Sequence, residues 1–79
     1  MATKKEKSKE DIMKQMGDRL KLLRKKKYSN YEHFAYENEL NRVQYGRYEN
    51  GKDLRMSTFL KILTALKITP KEFFSEGFE

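Results

Sequence analysis

The chain contains no cysteine, so neither a disulfide nor a thiolate metal site can staple it. Its single histidine, His33, supplies no imidazole pair for a metal either. Long apolar runs are also missing, and the N-terminus alternates lysine with acidic and polar side chains, a pattern of neither a membrane span nor a signal peptide. A soluble, cytoplasmic protein is expected. We find no internal repeat and no linker long enough to divide domains. Nor does a nucleophile, a phosphate loop or a paired acid–base arrangement stand out, so no catalytic residue, metal, cofactor or enzyme activity is expected.

What is present is a chain of 79 residues, enough for one small domain that buries roughly 60% of its unfolded surface. Its stability must come from packed helices. The formal charge of +6 favours an anionic partner, and its distribution is uneven. Residues 1–29 carry a balance of +7, whereas residues 30–79 carry −1. The positive charge therefore belongs to the N-terminal third, where a lysine-rich tail is most often a solubilising, disordered segment, so the asymmetry is only weak support for nucleic-acid binding.

Residues 1–7 have no apolar periodicity and are expected to be disordered. A domain over residues 8–75 and a tail over 76–79 follow. Ser8 and Asp11 have the spacing of a capping box at the head of a first helix, with Ile12, Met16, Leu20 and Leu23 as its buried stripe, widened by Met13 and Leu22. Arg24-Lys25-Lys26-Lys27 places cations where the helix dipole favours them. Ser29 and Asn30 are both competent caps for a second helix, and Ser29 with Glu32 offers a capping box. Phe34 and Ala35 face the core; Tyr31 stands at the first turn, with Glu32, His33 and Glu37 outward. Asn38-Glu39 ends this helix.

Asn41 caps a third, short helix that runs to Tyr48 and that Gly51 terminates with a positive φ. Tyr45 and Tyr48 share its inner face, leaving Arg42, Val43, Gln44 and Arg47 outside. Such side chains suit base edges in a DNA major groove: Arg pairs with guanine, Gln with adenine, and an apolar group meets the thymine methyl. Gly46 inside this helix signals either close packing on the second helix or close approach to DNA. A fourth helix over Leu54 to Lys67, headed by Ser57 or Thr58, presents Phe59, Leu60, Ile62, Leu63 and Leu66 to the core. Thr69-Pro70-Lys71-Glu72 then combines a cap, a proline at the first helical position and an acid three residues on, opening a short fifth helix with Phe73 and Phe74.

The order of these elements resembles the lambda-repressor and Cro-like helix-turn-helix family, also called the XRE family, over roughly Met16 to Phe74. Arg47-Tyr48-Glu49-Asn50-Gly51-Lys52 looks like its signature at the end of the recognition helix. Gly17-Asp18-Arg19-Leu20 through Arg24, Phe34-Ala35, Leu60-Lys61-Ile62 with Ala65-Leu66, and Pro70 to Phe74 fit the same template. The resemblance implies an all-α, compact five-helix domain that binds double-stranded DNA as a transcriptional regulator. By it, Arg42, Val43 and Arg47 contact bases, and Gln44 contacts a base or a phosphate beside them. Tyr31, Asn41, Asn50 and Lys52 fall at phosphate-contacting positions, and Arg24 and Glu49 at a structural ion pair.

Three residues depart from the family pattern. Glu39 stands where a turn glycine is usual, Asn38 replaces an apolar residue, and Tyr31 replaces glutamine. We therefore expect a reshaped turn with Asn38 taking the positive φ. The family further implies a homodimer on a pseudo-palindromic operator, for which Phe73, Phe74 and Phe78 with the fourth helix offer the surface. A small phage-type repressor, a controller protein and an antitoxin paired with a toxin all fit. The alternative is a protein-interaction module, motivated by Glu32, Glu37, Glu39 and Glu49 near the same face.

Overall fold

The computed structural model describes residues 7–78; residues 1–6, which hold most of the tail expected to be disordered, and Glu79 lie outside the described residues. Five helices make up the fold, with no strand among the described residues: α1 (Lys9–Lys25), α2 (Tyr31–Glu37), α3 (Arg42–Glu49), α4 (Met56–Leu66) and α5 (Pro70–Phe73). Local chemistry starts four of them. Ser8 and Asp11 close a reciprocal capping box on α1, and Thr69 and Glu72 close another on α5, where Pro70 gives up no hydrogen bond. Asn30 and Asn41 each accept the backbone N–H three residues on, heading α2 and α3.

The expected Ser29–Glu32 box does not form, because α2 begins one residue later and Asn30 takes the His33 N–H at 2.7 Å. Helix α4 also starts later than expected. Its cap position is Arg55, which makes no side-chain capping bond, and neither Ser57 nor Thr58 plays that part.

Helix ends follow a shared device. After α2, α3 and α4 the chain enters the left-handed region at Glu39 (φ 57°), Gly51 (φ 84°) and Lys67 (φ 61°). In each case the next N–H reaches back five residues to a carbonyl of the last turn: Leu40 to Ala35, Lys52 to Arg47, Ile68 to Leu63. These are Schellman closures, and they satisfy carbonyls that would otherwise be orphaned. The expectation that Asn38 takes the positive φ is wrong. Asn38 has φ −110°, and its side-chain amide donates to the Phe34 carbonyl at 2.9 Å, leaving the left-handed turn to Glu39.

The core is made by Leu20 and Leu23 of α1, Phe34 and Ala35 of α2, Tyr45 of α3, Phe59, Ile62, Leu63 and Leu66 of α4, and Phe73 of α5. Several apolar side chains fall outside it. Ile12 and Leu22 are 42% and 52% exposed. Leu22 stands about 200° around the helix from Leu20, on the opposite face. Ile12 lies in the first turns of a helix of 17 residues, twice as long as the eight-residue α3 on which it packs, so those turns overrun the core. Leu60, expected inward, is likewise exposed.

Two residues of α1 do unexpected work. Gly17 is buried where α1 crosses the end of α3: a Cβ there would meet the carbonyls of Tyr48 and Glu49 and the Gly51 nitrogen at 2.7, 2.8 and 2.8 Å. Arg19, also buried, donates through Nε to the Phe73 carbonyl at 2.8 Å and through Nη2 to the Glu72 carbonyl at 2.9 Å. It thereby supplies the Phe73 carbonyl with a donor at the end of a four-residue helix, and shares the Glu72 carbonyl with the Ser75 hydroxyl, which donates to it at 2.7 Å. The segment beyond folds back as well, since Phe78 packs against Phe73 and Phe74 with ring centroids 5.8 and 4.9 Å away.

Candidate nucleic-acid interface

Helix α3 is divided by its packing. Tyr45, Gly46 and Glu49 are buried, Tyr48 is half-buried, and Arg42, Val43, Gln44 and Arg47 are exposed. The division follows from what the inner side chains meet. The Tyr45 ring is wholly enclosed, 5.0 Å from Phe34 and 6.4 Å from Tyr48 between ring centroids. Glu49 receives Arg24 as a two-point fork, Nε to Oε2 at 2.9 Å and Nη2 to Oε1 at 2.8 Å. The third guanidinium nitrogen donates to the Tyr28 carbonyl at 3.1 Å. One arginine of α1 thus holds both the end of α3 and the connection leading into α2.

This pair governs the electrostatics beneath the helix. The hydrogen bonds that Arg24 donates to Glu49 raise its pKa against the opposing effect of burial, so the guanidinium stays charged. Burial, and then the neighbouring Glu49 carboxylate, pushes the Tyr45 phenol well above the usual tyrosine range. The Tyr45 hydroxyl has no hydrogen-bond partner despite that proximity. Because Glu49 is matched by Arg24, its charge does not oppose an anion approaching the outer face.

That outer face has two flanks. On one side Arg42 lines a groove with Glu32, His33 and Tyr36 of α2 and with Leu40. On the other, Gln44 and Tyr48 line a cleft with Asp53, Arg55 and Thr58. Val43 is 66% exposed on the crest. Arg55 and Thr58 were not among the residues expected at this face. The signal that marks them is positional: they flank the start of α4, whose first N–H groups have no side-chain cap. Lys61 also belongs here, its Nζ donating to the Glu39 carbonyl at 3.1 Å, so a cation of α4 steadies the turn between α2 and α3.

The residues expected at phosphates occupy different settings. Asn41 commits its side-chain oxygen to the Gln44 N–H, leaving its amide as the group able to donate outward. Asn50 donates its amide to the Gly46 carbonyl at 3.1 Å, and Lys52 is exposed beside it. Tyr31, 37% exposed, lays its ring against Gly46, so close packing on α2 accounts for that glycine. His33 lies 3.5 Å from Glu37 on the exposed side of α2. Of the expected dimer surface, Phe73 drops out because it is fully buried, whereas Phe74 is 45% exposed.

No group of three or more His, Cys, Asp or Glu among the described residues is placed to hold a metal ion, and no helix among them is long and apolar enough to cross a membrane. No protein-family model, no curated protein and no solved structure matches this chain.

Proposed function

We propose that the protein is a sequence-specific, double-stranded-DNA-binding transcriptional regulator with a lambda-repressor-like helix-turn-helix, α2 serving as the first helix of the motif and α3 as the recognition helix. The observation that carries this reading is the division of α3: its buried side is fixed by an enclosed ring and a two-point ion pair, while Arg42, Val43, Gln44 and Arg47 stand exposed together. A helix of this kind fits a major groove about 12 Å wide. Arg42 and Arg47 offer bidentate donors for guanine, Gln44 pairs with adenine or reaches a phosphate, and Val43 meets a thymine methyl. Tyr31, Asn41, Asn50, Lys52 and the added Arg55 set the register on the backbone. No reacting group is involved; regulation works by occupancy, as a small repressor, controller or antitoxin acts, in the cytoplasm. A homodimer on two half-sites supplies the affinity that one such domain lacks.

Selection of duplexes from a random pool followed by polarisation titration tests this. We expect an enriched site whose affinity falls steeply with salt, and a loss of about 1–3 kcal/mol for each of Arg42→Ala and Arg47→Ala, with relaxed preference at the base each one reads. A pool that yields no enriched sequence, or variants that bind like the parent, would refute it. The runner-up is a protein-interaction module on the same face, favoured by the 80% exposure of Tyr36 beside Glu32 and Glu37.

A further inference from the structure

Gly46 lies midway along α3, and a Cβ built on it would meet Tyr31 at Cε1 (2.8 Å), Cζ (3.0 Å) and the hydroxyl (3.2 Å). The edge of the Tyr31 ring therefore rests on the backbone of α3, in the space any other residue's side chain would fill. Helix propensity disfavours glycine at such a position, so the vacancy has a local cost that the contact must offset. The same ring lies 6.4 Å from Tyr45, which anchors its inner side while its rim stays open to solvent. Gly46 also has a second partner, since its carbonyl receives the Asn50 amide at 3.1 Å. Arg42 and Asn50 are the residues one turn before and one turn after it, on the same row of the helix.

We propose that Gly46 is the positioning residue of this interface: by seating the Tyr31 ring on α3, it holds the Tyr31 hydroxyl in fixed register with Arg42 and Asn50. The inference rests on the DNA-binding reading and adds a role to a residue that itself offers DNA no side chain. The Schellman turn at Glu39 and the Phe34–Tyr45 packing bring α2 and α3 together from the turn and from the core side, whereas Tyr31 bears on the backbone of α3 itself, at Gly46, from the solvent-exposed rim. An alanine at position 46 displaces a ring on the rim of the protein, not a core side chain. The domain stays folded and the register is lost.

A double-mutant cycle on duplex binding tests the coupling. We expect Gly46→Ala to weaken binding to the selected duplex about tenfold in the parent background and by less than about twofold in a Tyr31→Ala background, because the residue acts through that ring. Equal losses in the two backgrounds, or none in either, overturn the proposal. Should Gly46→Ala alone fail to fold, the double variant, which lacks the obstructing ring, must fold; its failure to do so counts against the proposal equally. The contact has a readout without DNA: the Gly46 Hα resonances carry a ring-current shift that disappears in Tyr31→Ala, and its absence from the parent also refutes the seat. A parent protein that shows this shift yet selects no duplex overturns the DNA-binding reading instead.

Discussion

The Tyr45 phenol is wholly enclosed and lies in the field of the Arg24–Glu49 pair, yet its hydroxyl has no hydrogen-bond partner. A buried hydroxyl in that state costs about 1–3 kcal/mol, so deleting it should be harmless or helpful. We expect Tyr45→Phe to raise stability by up to about 1 kcal/mol at neutral pH. The pH dependence has a definite sign. The folded-state pKa is raised, so above pH about 10 the unfolded chain gives up a proton that the folded one keeps, and stability falls as pH rises. The advantage of Tyr45→Phe should therefore widen above pH 10, by up to ~1.4 kcal/mol per pH unit. Urea titrations at pH 7 and pH 11 check both parts. A variant less stable than the parent by more than about 1 kcal/mol at pH 7 means that the hydroxyl is bonded to Glu49 after all, and a gap that does not change between the two pH values means that the phenol pKa is not raised.

At the scale of elements, the starts of α1, α3 and α5 were legible, whereas of the three left-handed helix ends only the one at Gly51 was. Caps are local: Ser8, Asn41 and Thr69 each bond an N–H three residues on, so their spacing in the sequence is their geometry in the fold. Ends depend on which residue can tolerate a left-handed φ once the next helix is docked, and two of the three closures use Glu39 and Lys67 in place of glycine. Asn38 was the better candidate by intrinsic preference, but its amide is tied to the Phe34 carbonyl. The role of Arg19 is not legible for a related reason, because the carbonyls it meets lie 53 and 54 residues away and an arginine inside a helical pattern reads as surface. The outer face of α3 was legible in composition, whereas its flank from α4, Arg55 and Thr58, arises only when the chain folds back. The turn yields a direct test. Glu39 contributes its carbonyl to Lys61, and a glycine would keep that bond while relieving the backbone. Glu39→Gly should stabilise the domain by about 1 kcal/mol, and Glu39→Val should destabilise it, as read from denaturation midpoints. A glycine variant that loses stability would show that the Glu39 side chain holds the turn.

For the molecule as a whole, three segments meet at one guanidinium: Arg24 from α1, Glu49 from the end of α3, and the Tyr28 carbonyl at the entry to α2. Both charged side chains are almost fully enclosed, with 4% and 6% of their surface exposed. Taking such a pair out of water is costly, so its presence is weak support for raw stability; what it specifies is how α1 sits against α3. Removing one partner is a different matter, because it strands the other charge in the interior. We expect Arg24→Ala to cost ~3–5 kcal/mol, in a domain of a class whose total stability is roughly 5–15 kcal/mol. Replacing both partners, as in Arg24→Met with Glu49→Leu, strands no charge and should recover most of that loss, although the Tyr28 carbonyl still lacks its donor. Urea unfolding of the parent, both single variants and the double variant separates these contributions. If Arg24→Ala costs less than about 1 kcal/mol, the pair does not hold α1 to α3, and the rigid seating of α3 must come from Gly17 and the Tyr45 packing alone.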